Sequence, residues 1–146
     1  MSDAPSLKVK RLHPDAQLPT RGTAGASGYD LYAYLPEGEL LLGADPVRVA
    51  TGVALEFPQG YDVQVRPRSG LSLKGVGVSF GTIDSDYRGE VLVTMWAFGS
   101  RAAHTVRHGD RIAQLVVAQL AQLPLVEVET LAASARGAGG HGSTGA

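Results

Sequence analysis

Residues 47–66 read VRVATGVALEFPQGYDVQVR, and their period decides the fold. Val47 and Val49 flank Arg48, while Val53, Leu55 and Phe57 continue the alternation at odd positions. After a Pro58-Gln59-Gly60 turn signal, Tyr61, Val63 and Val65 interleave with Asp62, Gln64 and Arg66. A period of two puts successive side chains on opposite faces, so each run predicts a half-buried strand. The same pattern spreads outward. Leu7 and Val9 alternate with Lys8 and Lys10, and Ile112–Leu120 and Leu125–Val128 predict two more strands. Val91–Phe98 is almost wholly apolar, which predicts a central strand covered on both faces. Pro36-Glu37-Gly38, Arg88-Gly89 and His108-Gly109-Asp110 mark turns between them. The one candidate helix is short, Ser69–Lys74, with Ser69 as its cap. Many short strands without internal repeats predict an all-β sandwich or barrel, a jelly-roll by preference.

Composition bounds what such a fold does. The 146 residues suit one domain with a real core. Thirteen Lys and Arg against fourteen Asp and Glu give a net charge of −1, which argues against a general nucleic-acid binder. Any anion is therefore held by a few placed arginines and not by an overall field. The absence of cysteine excludes disulfides, thiolate catalysis and Cys-based zinc sites. No apolar run approaches the roughly 20 residues of a membrane span, and Met1–Lys10 lacks the apolar core of a signal peptide. The expectation is a soluble, cytoplasmic protein with no membrane partner.

Residues 136–146 read RGAGGHGSTGA. Nothing larger than alanine is available for burial, so the segment is expected to be flexible when the protein is alone. Its glycines let backbone N–H groups turn toward an anion, Arg136 adds a fixed charge, and Ser143 and Thr144 add hydroxyls. The functional reading is an arm that closes over a polyphosphate; the plain one is a Gly-rich end. Gly137, Gly139 and Gly142 satisfy G-x-G-x-x-G, but no helix follows, so this is no dinucleotide fingerprint.

Four other stretches carry chemistry. Ala26–Leu31 sets Asp30 just after a glycine turn, and Pro67–Gly70 leaves a strand with Arg68 and Ser69 as anion donors. Gly81–Gly89 joins two strands and holds Asp84, Asp86 and Tyr87; Asp84 suits a general base or metal ligand, whereas Asp86 suits a turn. Gly109–Leu115 carries a polar Gln114 among apolar neighbours. His104 and His108 stand four apart without a helical context or an intervening glutamate, so they read as surface histidines, and His13 has no sequence partner.

Taken in order, ASGYDL, PRSGL, GTIDSDYRG, GDRIAQL and RGAGGHGSTG resemble the five motifs of trimeric deoxyuridine triphosphatases (dUTPases), from Ala26 to Gly145. The resemblance implies a distorted antiparallel jelly-roll of the β-clip kind over residues 1–135, with 136–146 as a flexible C-terminal arm. It implies a homotrimer with shared active sites, and hydrolysis of dUTP to dUMP and pyrophosphate by water attack on the α-phosphorus. That reaction limits uracil incorporation into DNA and supplies dUMP for dTMP synthesis. Mg²⁺ would be held by the substrate phosphates and water, with no direct protein ligand and no nucleic acid as partner. By the same resemblance Asp84 deprotonates the attacking water, and Tyr87 packs on the deoxyribose, excluding a 2′-hydroxyl. Gly81, Thr82 and Ile83 present backbone groups to uracil in a slot too tight for thymine's methyl group. Arg68, Ser69, Gly70 and Gln114 hold phosphate oxygens, Asp30 supports the site, and Arg136, Gly140, His141, Gly142 and Ser143 belong to the closing arm.

The chain departs from the family in two places. His141 stands where the family's tail usually has phenylalanine, and Lys74–Thr82 lacks the hairpin asparagine of many bacterial members. The alternatives are a dCTP deaminase of the same fold or a non-catalytic dUTP-binding module. The first would need an added acid–base glutamate; the second would not need both Asp84 and Arg136.

Overall fold

The computed structural model describes residues 4–100, 103–140 and 142. Within them the chain runs β1 (Lys8–Arg11), β2 (Gly28–Tyr32), β3 (Glu39–Leu42), β4 (Val47–Glu56), β5 (Tyr61–Arg66), α1 (Ser69–Leu73), β6 (Val76–Val78), β7 (Gly81–Ile83), β8 (Glu90–Ala97), β9 (His104–Arg107) and β10 (Arg111–Gln119). The strands form a sheet β1-β4-β8-β6, a second sheet β2-β10-β5-β7 and a β3-β9 pair, and every pairing is antiparallel. Sequential strands repeatedly change sheet, as in a jelly-roll. The all-β expectation is met.

Alternation does the packing. Val49, Val53 and Leu55 of β4 and Val63 and Val65 of β5 are buried, and meet Val93 and Met95 of β8 and Ile112 and Leu115 of β10. Each such aliphatic side chain contributes roughly 1.5–3 kcal/mol by leaving water. A bulge interrupts β4: four steps from Ala50 to Ala54 face two steps from Leu92 to Glu90. An even excess preserves parity, so odd positions stay inward on both sides of it. Gly52 turns the bulge at φ +72, and its N–H donates to Glu90 Oε2 at 2.8 Å. A Cβ there would lie 2.8 Å from that of Ala16.

Some expectations need correction. β8 is buried on one face only, with Leu92 exposed and Thr94 and Trp96 half-buried on the other. Residues 125–128 form no strand, because no edge of the same chain pairs with them. Ser69 is the first helical residue; Arg68 occupies the cap position and makes no side-chain cap bond. The histidines hold to expectation in exposure: His13 and His108 are exposed and His104 is half-buried. His104 opens β9, His108 Nδ1 accepts the Leu35 N–H at 3.0 Å, and His13 stacks on Tyr34 with ring centroids 4.5 Å apart. The Tyr34 hydroxyl donates to Asp15 at 2.8 Å, which holds the Asp15 carboxyl below its usual range and raises the Tyr34 phenol. Among the described residues no helix is long and apolar enough to cross a membrane.

Candidate functional site

In the second sheet Asp30 pairs with Gln114 and Gln114 with Arg66, so the three side chains share one face. Gln64 and Thr82, also paired, extend that polar face to β7. Opposite parity sends Leu31, Val65 and Leu115 into the core. Gln114 is fixed by its Nε2 donating to Pro67 O at 2.8 Å, and its Oε1 lies where a Cβ on Gly28 would collide. That position is open only to glycine unless Gln114 moves.

Asp30 organises the charges. Its Oδ1 lies 3.3 Å from Arg68 Nε and its Oδ2 3.7 Å from Arg111 Nη1, while Arg68 Nη1 also reaches Arg111 O at 3.4 Å. One carboxylate against two guanidinium groups leaves net positive charge, as an anion requires. Ser69 and Gly70 are exposed beside Arg68, and Ser72 N–H closes the first helical turn on Arg68 O at 3.1 Å. The sequence thus located Arg68, Ser69, Gly70, Gln114 and Asp30 on one patch, and the structure brings them together. Arg111 was missed; its place inside the GDRIAQL motif gave no sign that it faces Asp30.

The second group lies after β7, whose Gly81 and Ile83 are half-buried and Thr82 exposed. Tyr87 N–H bonds Asp84 O at 3.0 Å, closing a turn that leaves Asp84 exposed at its first position. Arg88 braces the turn by donating to Ser85 O at 2.7 Å. The Tyr87 hydroxyl donates to Glu90 O at 2.8 Å, and its ring lies where a Gly89 side chain would have to sit. Glu90 therefore ties this turn to the β4 bulge, a role the sequence did not suggest. Trp96 lies against Gly77 of β6 in the same way, and Phe80, between β6 and β7, is exposed. Among the described residues no hydrogen bond or ion pair joins Asp84 or Tyr87 to the Asp30–Arg68–Arg111–Gln114 group.

Beyond Gln119 the chain has no regular structure among the described residues. Leu120 N–H to Gly60 O at 2.9 Å is the last backbone bond to the body. Arg136 Nε donates to Gly139 O within the arm, and the Arg136 guanidinium lies 3.5 Å from where a Gly140 Cβ would be. Gly137 and Gly142 have φ of +58 and +86, which favour glycine. His141 and Ser143 lie outside the described residues. Among the described residues of the arm no hydrogen bond or ion pair reaches either group.

A family model described as dUTPase matches residues 14–145. The deoxyuridine 5'-triphosphate nucleotidohydrolase of Caulobacter vibrioides is 48% identical, covering 96% of this chain and 94% of that protein. That of Wolinella succinogenes is 45% identical, covering 99% of each. Among solved structures, the dUTPase of Staphylococcus bacteriophage 80alpha with dUPNHPP aligns at a TM-score of 0.80 and 26% identity, over 97% of this chain and 99% of that one. A mutant dUTPase of phage phi11 of S. aureus, described with a structural Mg(II) ion, matches in fold with a TM-score of 0.75 at 24% identity, over 86% of this chain and 97% of that one.

Proposed function

The chain belongs to the dUTPase family, and from that premise we propose how its residues hydrolyse dUTP to dUMP and pyrophosphate. The observation that carries the reading is the Asp30-held pair of arginines beside Gln114. Arg68, Ser69, Gly70 and Gln114 bind phosphate oxygens there, and Asp30 keeps Arg68 in place instead of touching the nucleotide. The donors on this patch are guanidinium, hydroxyl and amide groups. Among the described residues no three His, Cys, Asp or Glu converge as a metal cage. That donor set fits Mg²⁺ held by the substrate's own phosphates and water, where it would neutralise phosphate charge.

Asp84 takes a proton from water as the water oxygen bonds to the α-phosphorus. The bond from that phosphorus to the bridging oxygen breaks, and the electron pair leaves with pyrophosphate. Positioning and electrostatics carry most of such a transfer. Gly81, Thr82 and Ile83 present main-chain groups to the uracil edge, and Arg136 with Gly140, His141, Gly142 and Ser143 closes over the phosphates. The reaction draws on the cytoplasmic nucleotide pool. Incubation with dUTP or dCTP and Mg²⁺, followed by chromatography, tests the assignment: dUMP and pyrophosphate are expected from dUTP. Deamination of dCTP, or binding of dUTP without turnover, would support one of the two alternatives.

Sugar selection has its own test. The Tyr87 ring is held at its hydroxyl end, by the bond to Glu90 O and by the close approach to Gly89, so a ribose 2′-hydroxyl meets a positioned ring. Tyr87→Ala is expected to raise kcat/KM for UTP relative to dUTP. An unchanged ratio would move sugar discrimination elsewhere.

We infer a homotrimer with shared sites. Two groups that one reaction needs share no hydrogen bond or ion pair among the described residues of the single chain. The stretch before the arm also exposes Leu123 (89%), Leu125 (96%) and Leu131 (83%), a row of apolar side chains that a neighbouring copy would cover. Light scattering is expected to give three times the 15.2 kDa chain mass. A catalytically active monomer would overturn both the trimer and the arm's action on another copy.

A further inference from the structure

Arg66 ends β5 and lies outside the residues given roles above. By register it sits beside Gln114 and on the same face, while its neighbour Val65 points into the core. Its Nε is buried and has no hydrogen-bond partner. Nearly all buried donors in folded proteins are paired, because an unpaired one suffers the full loss of hydration. An ordinary surface arginine avoids this by facing water; here the Nε is shielded.

Three acceptors in this region are already engaged. Asp30 lies against Arg68 and Arg111. Asp62 Oδ2 accepts from Gln64 Nε2 at 2.9 Å, and Pro67 O accepts from Gln114. Three arginines therefore flank Gln114 with one paired carboxylate between them, and Arg66 is the one that carboxylate does not reach. A guanidinium presents several fixed donors and keeps its charge at any working pH, which suits an oxygen-rich anion. On this patch the anion is the triphosphate.

We propose that Arg66 is a further substrate-binding residue, its guanidinium donating to a phosphate oxygen of dUTP beside Gln114. The proposal rests on the phosphate patch assigned above. It adds a residue from the strand before the PRSGL motif.

The test compares wild type, Arg66→Met and Arg66→Lys by calorimetric titration with dUpNHpp and with deoxyuridine, which carries no phosphate. Arg66→Met is expected to weaken dUpNHpp by about tenfold or more, the scale of a hydrogen bond to a charged group, without changing deoxyuridine binding, melting temperature or mass in solution. Arg66→Lys keeps a charge but lacks the planar fork of donors, so it is expected to recover only part of the loss; full recovery would overturn the role of the guanidinium. Unchanged dUpNHpp affinity in Arg66→Met, especially with a raised melting temperature, would make the open donor a structural defect and sink the proposal. Loss of mass in solution would instead assign the missing acceptor to a neighbouring copy. If Arg66→Met does not fold, equal dUpNHpp affinity of Arg66→Lys and wild type overturns the proposal alone. Wild type that binds no dUpNHpp would remove the phosphate patch itself, a separate failure.

Discussion

Replacing Asp84 with asparagine is expected to lower kcat roughly 100- to 10,000-fold, the range for a lost general base, while dUTP still binds. The geometry makes this a clean substitution. The bond that shapes the turn runs from Tyr87 N–H to the Asp84 backbone carbonyl, so it survives any change of side chain. Among the described residues no hydrogen bond or ion pair engages the Asp84 carboxylate, so removing its charge strands no cation. The amide keeps the size of the carboxylate and its ability to accept a hydrogen bond from water, but it cannot take the proton. Binding and chemistry should therefore separate. Fluorescence of Trp96, the single tryptophan, lies close to the β6–β7 connection through Gly77 and reports whether the hairpin is intact. Near-normal turnover of a folded variant would remove Asp84 from the mechanism.

The ease with which the fold was read from sequence follows from parity. Within residues 47–66 the odd positions Val49, Val53, Leu55, Phe57, Val63 and Val65 are committed to the core, and even the bulge at Gly52 adds an even excess, so the pattern survives it. β3 and β9 were harder. Each has four residues, and β9 begins with a histidine and ends with an arginine, so its composition resembles that of a polar loop. The expected strand at residues 125–128 has the right side chains but no partner within the chain. Strand formation is a property of a pair, and one sequence does not display the second member.

The site divides along the same line. Arg68, Ser69, Gly70, Asp84 and Gln114 stand inside short motifs whose residue types declare their chemistry. Arg111, Arg66 and Glu90 acquire their places only through register. Asp30 meets Arg68 and Arg111 because β2 and β5 both flank β10. Glu90 matters because its carboxylate fills a bulge in β4 while its carbonyl holds Tyr87. No local spacing contains that information.

Deleting residues from Arg136 onward is expected to leave the fold unchanged and to remove nearly all activity. The first half follows from packing. Among the described residues the backbone bonds beyond Leu120 are local to residues 134–139, and Arg136 is bonded to Gly139, so its removal uncovers no core and orphans no partner in the strands. Melting temperature and strand content should match the full chain. The second half follows from electrostatics. Pyrophosphate departure builds charge on phosphate oxygens, and an arginine closed over them in a water-poor site stabilises that charge far better than one in bulk solvent. The loss should be on the order of 1,000-fold or more, the scale of an arginine supplied to a phosphoryl-transfer transition state. Arg136→Ala should reproduce a large part of it, since the glycines alone can fold over the nucleotide but bring no fixed charge. His141→Phe in the full chain should preserve or improve dUTP affinity by adding apolar stacking area, which separates base coverage from charge neutralisation in the same segment. Stopped-time assays of dUMP release on the three proteins decide the matter. A truncated chain as fast as the full one would show the arm to be a Gly-rich end without a part in the chemistry, and Arg68 and Arg111 would then have to carry the phosphate charge alone.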